Sequence, residues 1–240
     1  MIRICKGEPP EELVRLQEEA QRRGLDPVEA YKLLKPPLKG KVLRRLQEEQ
    51  GFLCAYCMHR IPDERDLPEG VLGCTIEHYV PRRPTGGRDV GQGLDYGNML
   101  AVCSGNRGRR HDRRRRDLTC DARRSVGAEL TVNPLVEQTL ASIFYVPDGS
   151  IDATDPMIRD DLVNKLNLNC ASEAVQLPMQ RQAALLPVQE AVAQLVGEGQ
   201  REHVVSECAR LLARYEREQV KTEYVGIIIW WLKDFLKDIE

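Results

Sequence analysis

The sequence predicts an α+β chain in which a small cysteine-stapled unit sits between helical flanks. Three observations predict it. Apolar residues recur at helical spacing over residues 11–50 and again over 185–236. Two short apolar runs, 142–146 and 151–153, are separated by Pro147-Asp148-Gly149-Ser150, a turn signal that joins them as a hairpin. Between the helical stretches, Cys54, Cys57, Cys103 and Cys120 bracket an acid–histidine pair and an asparagine.

The elements follow in chain order. Residues 1–5 alternate apolar and polar and are expected as a short strand or extended arm. A helix is expected over 11–23, with Leu13, Leu16 and Ala20 on one face and Gly24 as its stop. A second covers 27–34 and halts at Pro36-Pro37. A third covers 39–50 and ends at Gly51, where the chain enters Cys54-Ala-Tyr-Cys57. Residues 63–70 are polar loop. Residues 71–80 predict a strand, closed by Pro81, and 82–93 are rich in Gly and Pro and predict a loop. Asn98 is expected where that loop becomes a short helix over the apolar run Met99-Leu100-Ala101-Val102. Past the hairpin, residues 157–166 predict a helix. Amphipathic helices follow at 185–196 and 202–218, and a very apolar one at 224–236 carries Trp230 and Trp231. The divisions expected are 1–50 as a helical scaffold, 51–130 as the chemical unit and 131–240 as a mainly helical region.

Composition sets the limits. The chain has 240 residues, of which 30% are charged and 42% hydrophobic, ordinary for a globular protein. Aromatics are only 5%, so the core must be aliphatic. A formal net charge of -2 excludes a polycation, and any nucleic-acid affinity must come from local clusters. Met1-Ile2-Arg3-Ile4-Cys5-Lys6 leads into no apolar segment of the kind that forms a secretory signal, and no run is long enough for a membrane helix. The expectation is a cytoplasmic protein, whose eight cysteines then serve as metal ligands or free thiols and not as disulfides.

Cys54-x-x-Cys57 is the spacing with which a tight turn presents two thiolates to one ion. Cys103 and Cys120 complete a tetrahedral zinc set if the sixteen residues between them form an excursion; Cys74 and His111 are the alternatives. Cys5, Cys170 and Cys208 are expected to pack. Glu77-His78 carries the sharper chemistry. Alone such a pair is commonly an ordinary surface pair, but its place between two cysteine pairs gives it weight. A carboxylate suits a hard cation such as Mg²⁺ or Mn²⁺, and an imidazole can take a proton from water near neutral pH. The segment 107–116 reads RGRRHDRRRR, and its Arg107, Arg109, Arg110, Arg113, Arg114, Arg115 and Arg116 predict contacts to a phosphate backbone. The run holds no aromatics, so base stacking is not expected and the backbone would be held without reading sequence.

The order CxxC, EHxxP, an Asn before an apolar run, then a late Cys with a polar neighbour resembles the HNH (ββα-metal) endonuclease family. The resemblance implies His78 as general base, Glu77 as ligand of a catalytic Mg²⁺ or Mn²⁺, and Asn98 as the residue that orients the histidine or its loop. It implies hydrolysis of phosphodiesters to a 5′-phosphate and a 3′-hydroxyl. Where the family often has Cys-His-x-x-Lys, this chain has Cys120-Asp121-Ala122-Arg123-Arg124, so the second metal ligand is Asp121 or, as an alternative, Asn106. Outside the motif, Met1-Ile2-Arg3-Ile4, Asn133-Pro134-Leu135 and Leu166-Asn167-Leu168-Asn169 resemble the PtuB family of HNH subunits in Septu and retron-associated anti-phage defence, over residues 1 to about 169. That resemblance implies DNA as substrate and an SMC-like ABC ATPase (PtuA-like) as partner. The Trp230-Trp231 helix is expected to be core, with the alternative that one of the two tryptophans, which point different ways, meets that ATPase or a second copy. Two rival readings remain: a non-catalytic zinc module that docks DNA or a partner, and an HNH nuclease acting on RNA.

Overall fold

The computed structural model describes residues 1–62, 73–83, 92–107, 117–173, 175–198 and 200–239. The mixed α+β expectation holds. The N-terminal arm is extended without strand pairing and is tied down by Ile4, whose N–H donates to the Pro134 carbonyl at 2.8 Å. Three helices follow, α1 (Glu11–Arg22), α2 (Pro27–Lys32) and α3 (Leu38–Glu49). Asp26 caps α2 by accepting from the N–H groups of Val28 and Glu29, and Pro27 sits in its first turn, where no N–H is needed.

Strands β1 (Cys74–His78) and β2 (Met99–Cys103) pair antiparallel, with His78 opposite Met99 and Cys74 opposite Cys103. The apolar run expected as a helix is therefore a strand. Asn98 closes a 3-10 turn, Tyr96–Asn98, immediately before it. Met99, Leu100, Ala101 and Val102 are all buried, so both faces of β2 are covered and the alternation that marks a half-exposed strand is lost. Helix α4 (Cys120–Arg123) packs on β2.

The remainder is mainly helical. A hairpin of β3 (Ile143–Tyr145) and β4 (Ile151–Ala153) precedes α5 (Pro156–Asp160), which runs on into a π turn over Asp161–Lys165. A small hairpin, β5 (Ala171–Ser172) with β6 (Val175–Gln176), leads into α6 (Leu177–Glu198), α7 (Arg201–Arg217) and α8 (Val225–Ile239). Helix α6 starts eight residues before the expected 185 and carries Pro187 within it. Buried Asp161 ties the π turn to the segment before the hairpin: its carboxylate accepts from the backbone of Thr131 and Val132 and pairs with Lys165 at 2.6 Å. Trp230 packs on Tyr145 and Trp231 stacks on Phe235. Among the described residues no helix is long and apolar enough to cross a membrane. Cys170 and Cys208 are buried as expected, whereas Cys5 is exposed at the edge of the N-terminal arm.

Candidate active site and metal centre

The first cysteine pair sits in a tight turn after α3. Gly51 at φ 59°, Phe52 at 62° and Met58 at 63° give the backbone its left-handed steps. The Met58 N–H returns to the Cys54 carbonyl at 3.0 Å, and the His59 N–H points at Cys57 Sγ at 3.4 Å. The turn is anchored to β2 by the Ala55 N–H, which donates to the Ala101 carbonyl at 3.1 Å. Gln50, buried at 4% exposure, locks the same junction: its amide donates to the carbonyls of Leu53 and Ala101 and accepts from the Ala101 N–H.

The gap between Cys103 and Cys120 closes because its two ends are pinned together. The Thr119 N–H donates to the Gly105 carbonyl at 3.2 Å, and Asn106 Nδ2 donates to the Asp117 carbonyl at 3.2 Å. Gly105 has φ +57°, and a Cβ there would lie 2.3 Å from the Thr119 carbonyl oxygen, so no side chain fits. The excursion leaves and returns at one point and delivers Cys120 to Cys103. Arg109, Arg110, His111, Arg113, Arg114, Arg115 and Arg116 lie outside the described residues.

The four sulfurs converge. Cys54–Cys120 and Cys57–Cys103 are 3.8 Å apart and Cys103–Cys120 is 3.7 Å. A tetrahedron with Zn–S bonds of about 2.3 Å has sulfur–sulfur edges of about 3.8 Å. Hydrogen bonding with Cys103 and burial push the Cys57 and Cys120 thiols well above their ordinary range, since four thiolates cannot share a buried site without a cation. The cluster could hold a zinc ion, and among the described residues it is the one group of three or more His, Cys, Asp or Glu ligands that converges this way. Cys74 is not part of it; its sulfur accepts from Gln47 at 3.3 Å.

A cleft of about 310 Å³ opens beside this cluster. Glu77, His78, Arg82, Arg83, Arg107, Asp121 and Arg124 all line it. Glu77 and His78 come from the end of β1, Arg107 from the start of the excursion, and Asp121 from the first turn of α4. Asn106 is not among the lining residues, and its side chain is spent on Asp117.

Each carboxylate is engaged by an arginine. Arg124 Nη1 meets Glu77 Oε1 at 2.5 Å, and Arg107 Nη1 meets Asp121 Oδ2 at 3.0 Å. Burial, then the neighbouring Asp121 charge and a hydrogen bond with it, outweigh Arg124 and push the Glu77 carboxyl up to about 8. Arg124 is 9% exposed and donates in addition to the carbonyls of His78, Tyr79 and Ala128. It is a residue the sequence left among the surface charges. No local pattern marks it, because most of its partners, Glu77 and the carbonyls of His78 and Tyr79, lie more than forty residues back along the chain.

His78 is 4% exposed. Its Nε2 lies 2.9 Å from the Gly93 carbonyl. A carbonyl only accepts, so Nε2 carries the proton and Nδ1 keeps a lone pair. Among the described residues no donor meets Nδ1. Burial lowers the imidazole to about 4, so it is neutral at neutral pH. Asn98 does not touch the ring. Its Oδ1 accepts from the Val80 N–H at 2.7 Å and its Nδ2 donates to the Val80 carbonyl at 3.0 Å, clamping the backbone two residues past His78.

No family model matches the chain, and no curated protein matches it with significance.

Proposed function

We propose that the chain is a metal-dependent HNH endonuclease that hydrolyses DNA phosphodiesters, the nuclease effector of an anti-phage system with an SMC-like ABC ATPase as partner. One observation carries the hydrolytic reading: a neutral, backbone-oriented histidine and two carboxyl groups line a single cleft whose remaining charge is arginine. The order β1, β2, α4 beside a four-cysteine cluster agrees with the ββα unit of that family. The defence role, the DNA preference and the ATPase partner rest on the sequence resemblance.

Glu77 and Asp121, side by side in the cleft, offer the carboxylate oxygens that a hard divalent cation takes. Mg²⁺ or Mn²⁺ held by Glu77 and Asp121 would neutralise charge on the phosphoryl and leaving oxygens. His78 takes the proton of the attacking water on Nδ1 while its Nε2–H stays with Gly93. The new bond joins the water oxygen to phosphorus, the bond to the 3′ oxygen breaks, and that oxygen takes a proton from solvent water to leave as a hydroxyl. Arg82, Arg83 and Arg107 face the phosphate. Low basicity makes His78 available as a base at every physiological pH, at the cost of driving force for proton transfer.

The deciding assay is plasmid DNA, and a matched RNA, incubated with the protein and Mg²⁺, Mn²⁺ or no divalent ion, with and without an ATPase partner. Divalent-dependent scission of DNA is expected. Binding with no products under any condition would make the chain a docking module, and scission of RNA alone would change the substrate.

Electrostatics yields a separate expectation. In magnesium-free buffer the folded protein keeps a proton on Glu77 up to about 8, whereas an unfolded glutamate releases it near 4.5. Between those values the folded state binds more protons, so the Glu77 contribution to stability falls as pH rises. Thermal unfolding should show a midpoint that declines across this window. Saturating Mg²⁺ should flatten the decline by holding the carboxylate ionised, and Glu77→Gln should remove it. A slope unchanged in Glu77→Gln would refute the assignment.

A further inference from the structure

We infer that Tyr31, on α2 of the N-terminal arm, is a positioning residue of the cleft: its ring fixes the His78 imidazole and holds the Arg82 guanidinium at the cleft wall. The inference deepens the hydrolytic reading and rests on it for the role of His78. The ring centroids of Tyr31 and His78 are 4.8 Å apart with planes at 88°, the perpendicular arrangement that aromatic quadrupoles favour. Arg82 Cζ lies 4.2 Å from the centroid of the same ring, with Lys39 further out at 5.9 Å. Among the described residues no carboxylate pairs with Arg82, so the stack on Tyr31 is what places its charge.

Helix α2 reaches His78 by a second route. Gly93, the acceptor of the Nε2 proton, packs so tightly that a Cβ on it would lie 1.9 Å from the Pro27 carbonyl oxygen. Val28, from the same turn, lines the cleft. A single hydrogen bond at Nε2 fixes one atom of the imidazole and leaves the ring free to tilt about it. A perpendicular ring against its side removes that freedom and keeps Nδ1 aimed at one place. The arm before the cysteine unit thus forms one wall of the site. A hydroxyl is not needed for this; an aromatic ring is.

The test uses full-length, zinc-replete protein and the variants Tyr31→Phe, Tyr31→Leu and Arg82→Ala. The first measurement is long-range ¹H–¹⁵N correlation of the imidazoles at neutral pH, with His78 assigned by its loss in His78→Gln. A single Nε2–H tautomer is expected in the native chain and in Tyr31→Phe, and averaged tautomers with displaced ring-proton resonances in Tyr31→Leu. The second is steady-state DNA cleavage with Mg²⁺. Tyr31→Leu should lower kcat by roughly tenfold to a hundredfold, the scale of a misplaced catalytic group. It should also raise KM. Tyr31→Phe should restore both, and Arg82→Ala should raise KM alone. Native tautomer and native kinetics in Tyr31→Leu would reduce Tyr31 to packing and overturn the inference. A tautomer that follows Tyr31 in a protein that never cleaves DNA would support the positioning role and overturn the hydrolytic reading instead. Should Tyr31→Leu fail to fold, an unchanged KM in Arg82→Ala would still overturn the placement of Arg82.

Discussion

His78→Ala is expected to abolish Mg²⁺-dependent DNA cleavage, with a loss in kcat of roughly a hundredfold to ten-thousandfold, the contribution of a positioned general base. Zinc content should stay at the native level, because the four cysteines converge without any histidine. The substitution empties a buried site and orphans the Gly93 carbonyl, a cost of about 1–3 kcal/mol. That lowers the unfolding midpoint without unfolding the chain, since β1 keeps its register with β2 and Asn98 still clamps Val80. DNA binding should persist, because Arg82, Arg83 and Arg107 are untouched. His78→Asn is the useful companion, as it keeps a polar side chain in the cavity and should be equally inactive. Cleavage by His78→Ala at the native rate would remove the general base from the proposal.

The grouping of the candidate residues was more legible in the sequence than the architecture around them. Asp121 lies far along the chain from the adjacent Glu77 and His78, yet all three line one cleft, the grouping that the motif order had suggested. Helices α1, α3 and α7 were legible because each buries one stripe of a polar surface, which imposes a 3.6-residue period, whereas α8 was legible as a long apolar run. Strand β2 was not. Met99 to Val102 are buried on both sides, and four consecutive apolar residues carry no period that separates strand from helix. The start of α6 was hidden for another reason: Pro178 falls in its first turn, where proline is tolerated but reads as a break. Gln50 and Arg124 illustrate a third limit. Each is a buried polar side chain satisfied by several backbone groups, and backbone partners leave no trace in side-chain pattern. The role of α2 was hidden likewise, since Tyr31 reads as one apolar position of a short helix until its neighbours across space are known.

Cys54→Ser is expected to cost both the metal and the fold. Structural zinc in small cysteine sites is worth about 10–16 kcal/mol in apparent binding energy, as large as the roughly 5–15 kcal/mol that holds a typical domain folded. Here the cluster does more than close a turn. Cys54 and Cys57 belong to the turn anchored on Ala101, Cys103 ends β2, and Cys120 opens α4, the helix that carries Asp121. One ion across these four sulfurs would therefore set the distance between the strand bearing Glu77 and the helix bearing Asp121. Without it, hydrogen bonding with Cys103 and burial keep the Cys57 and Cys120 thiols protonated, and the 3.7 and 3.8 Å contacts become thiol hydrogen bonds. The expected outcome is insoluble or unfolded Cys54→Ser protein with zinc well below one per chain by elemental analysis. Cys74→Ser is the control: it is buried within the same sheet but outside the cluster, so zinc should be retained and the loss confined to a modest fall in unfolding midpoint. A soluble Cys54→Ser chain that keeps a full zinc would mean that the four sulfurs meet for packing alone, and the stapling of Glu77 to Asp121 would need another cause.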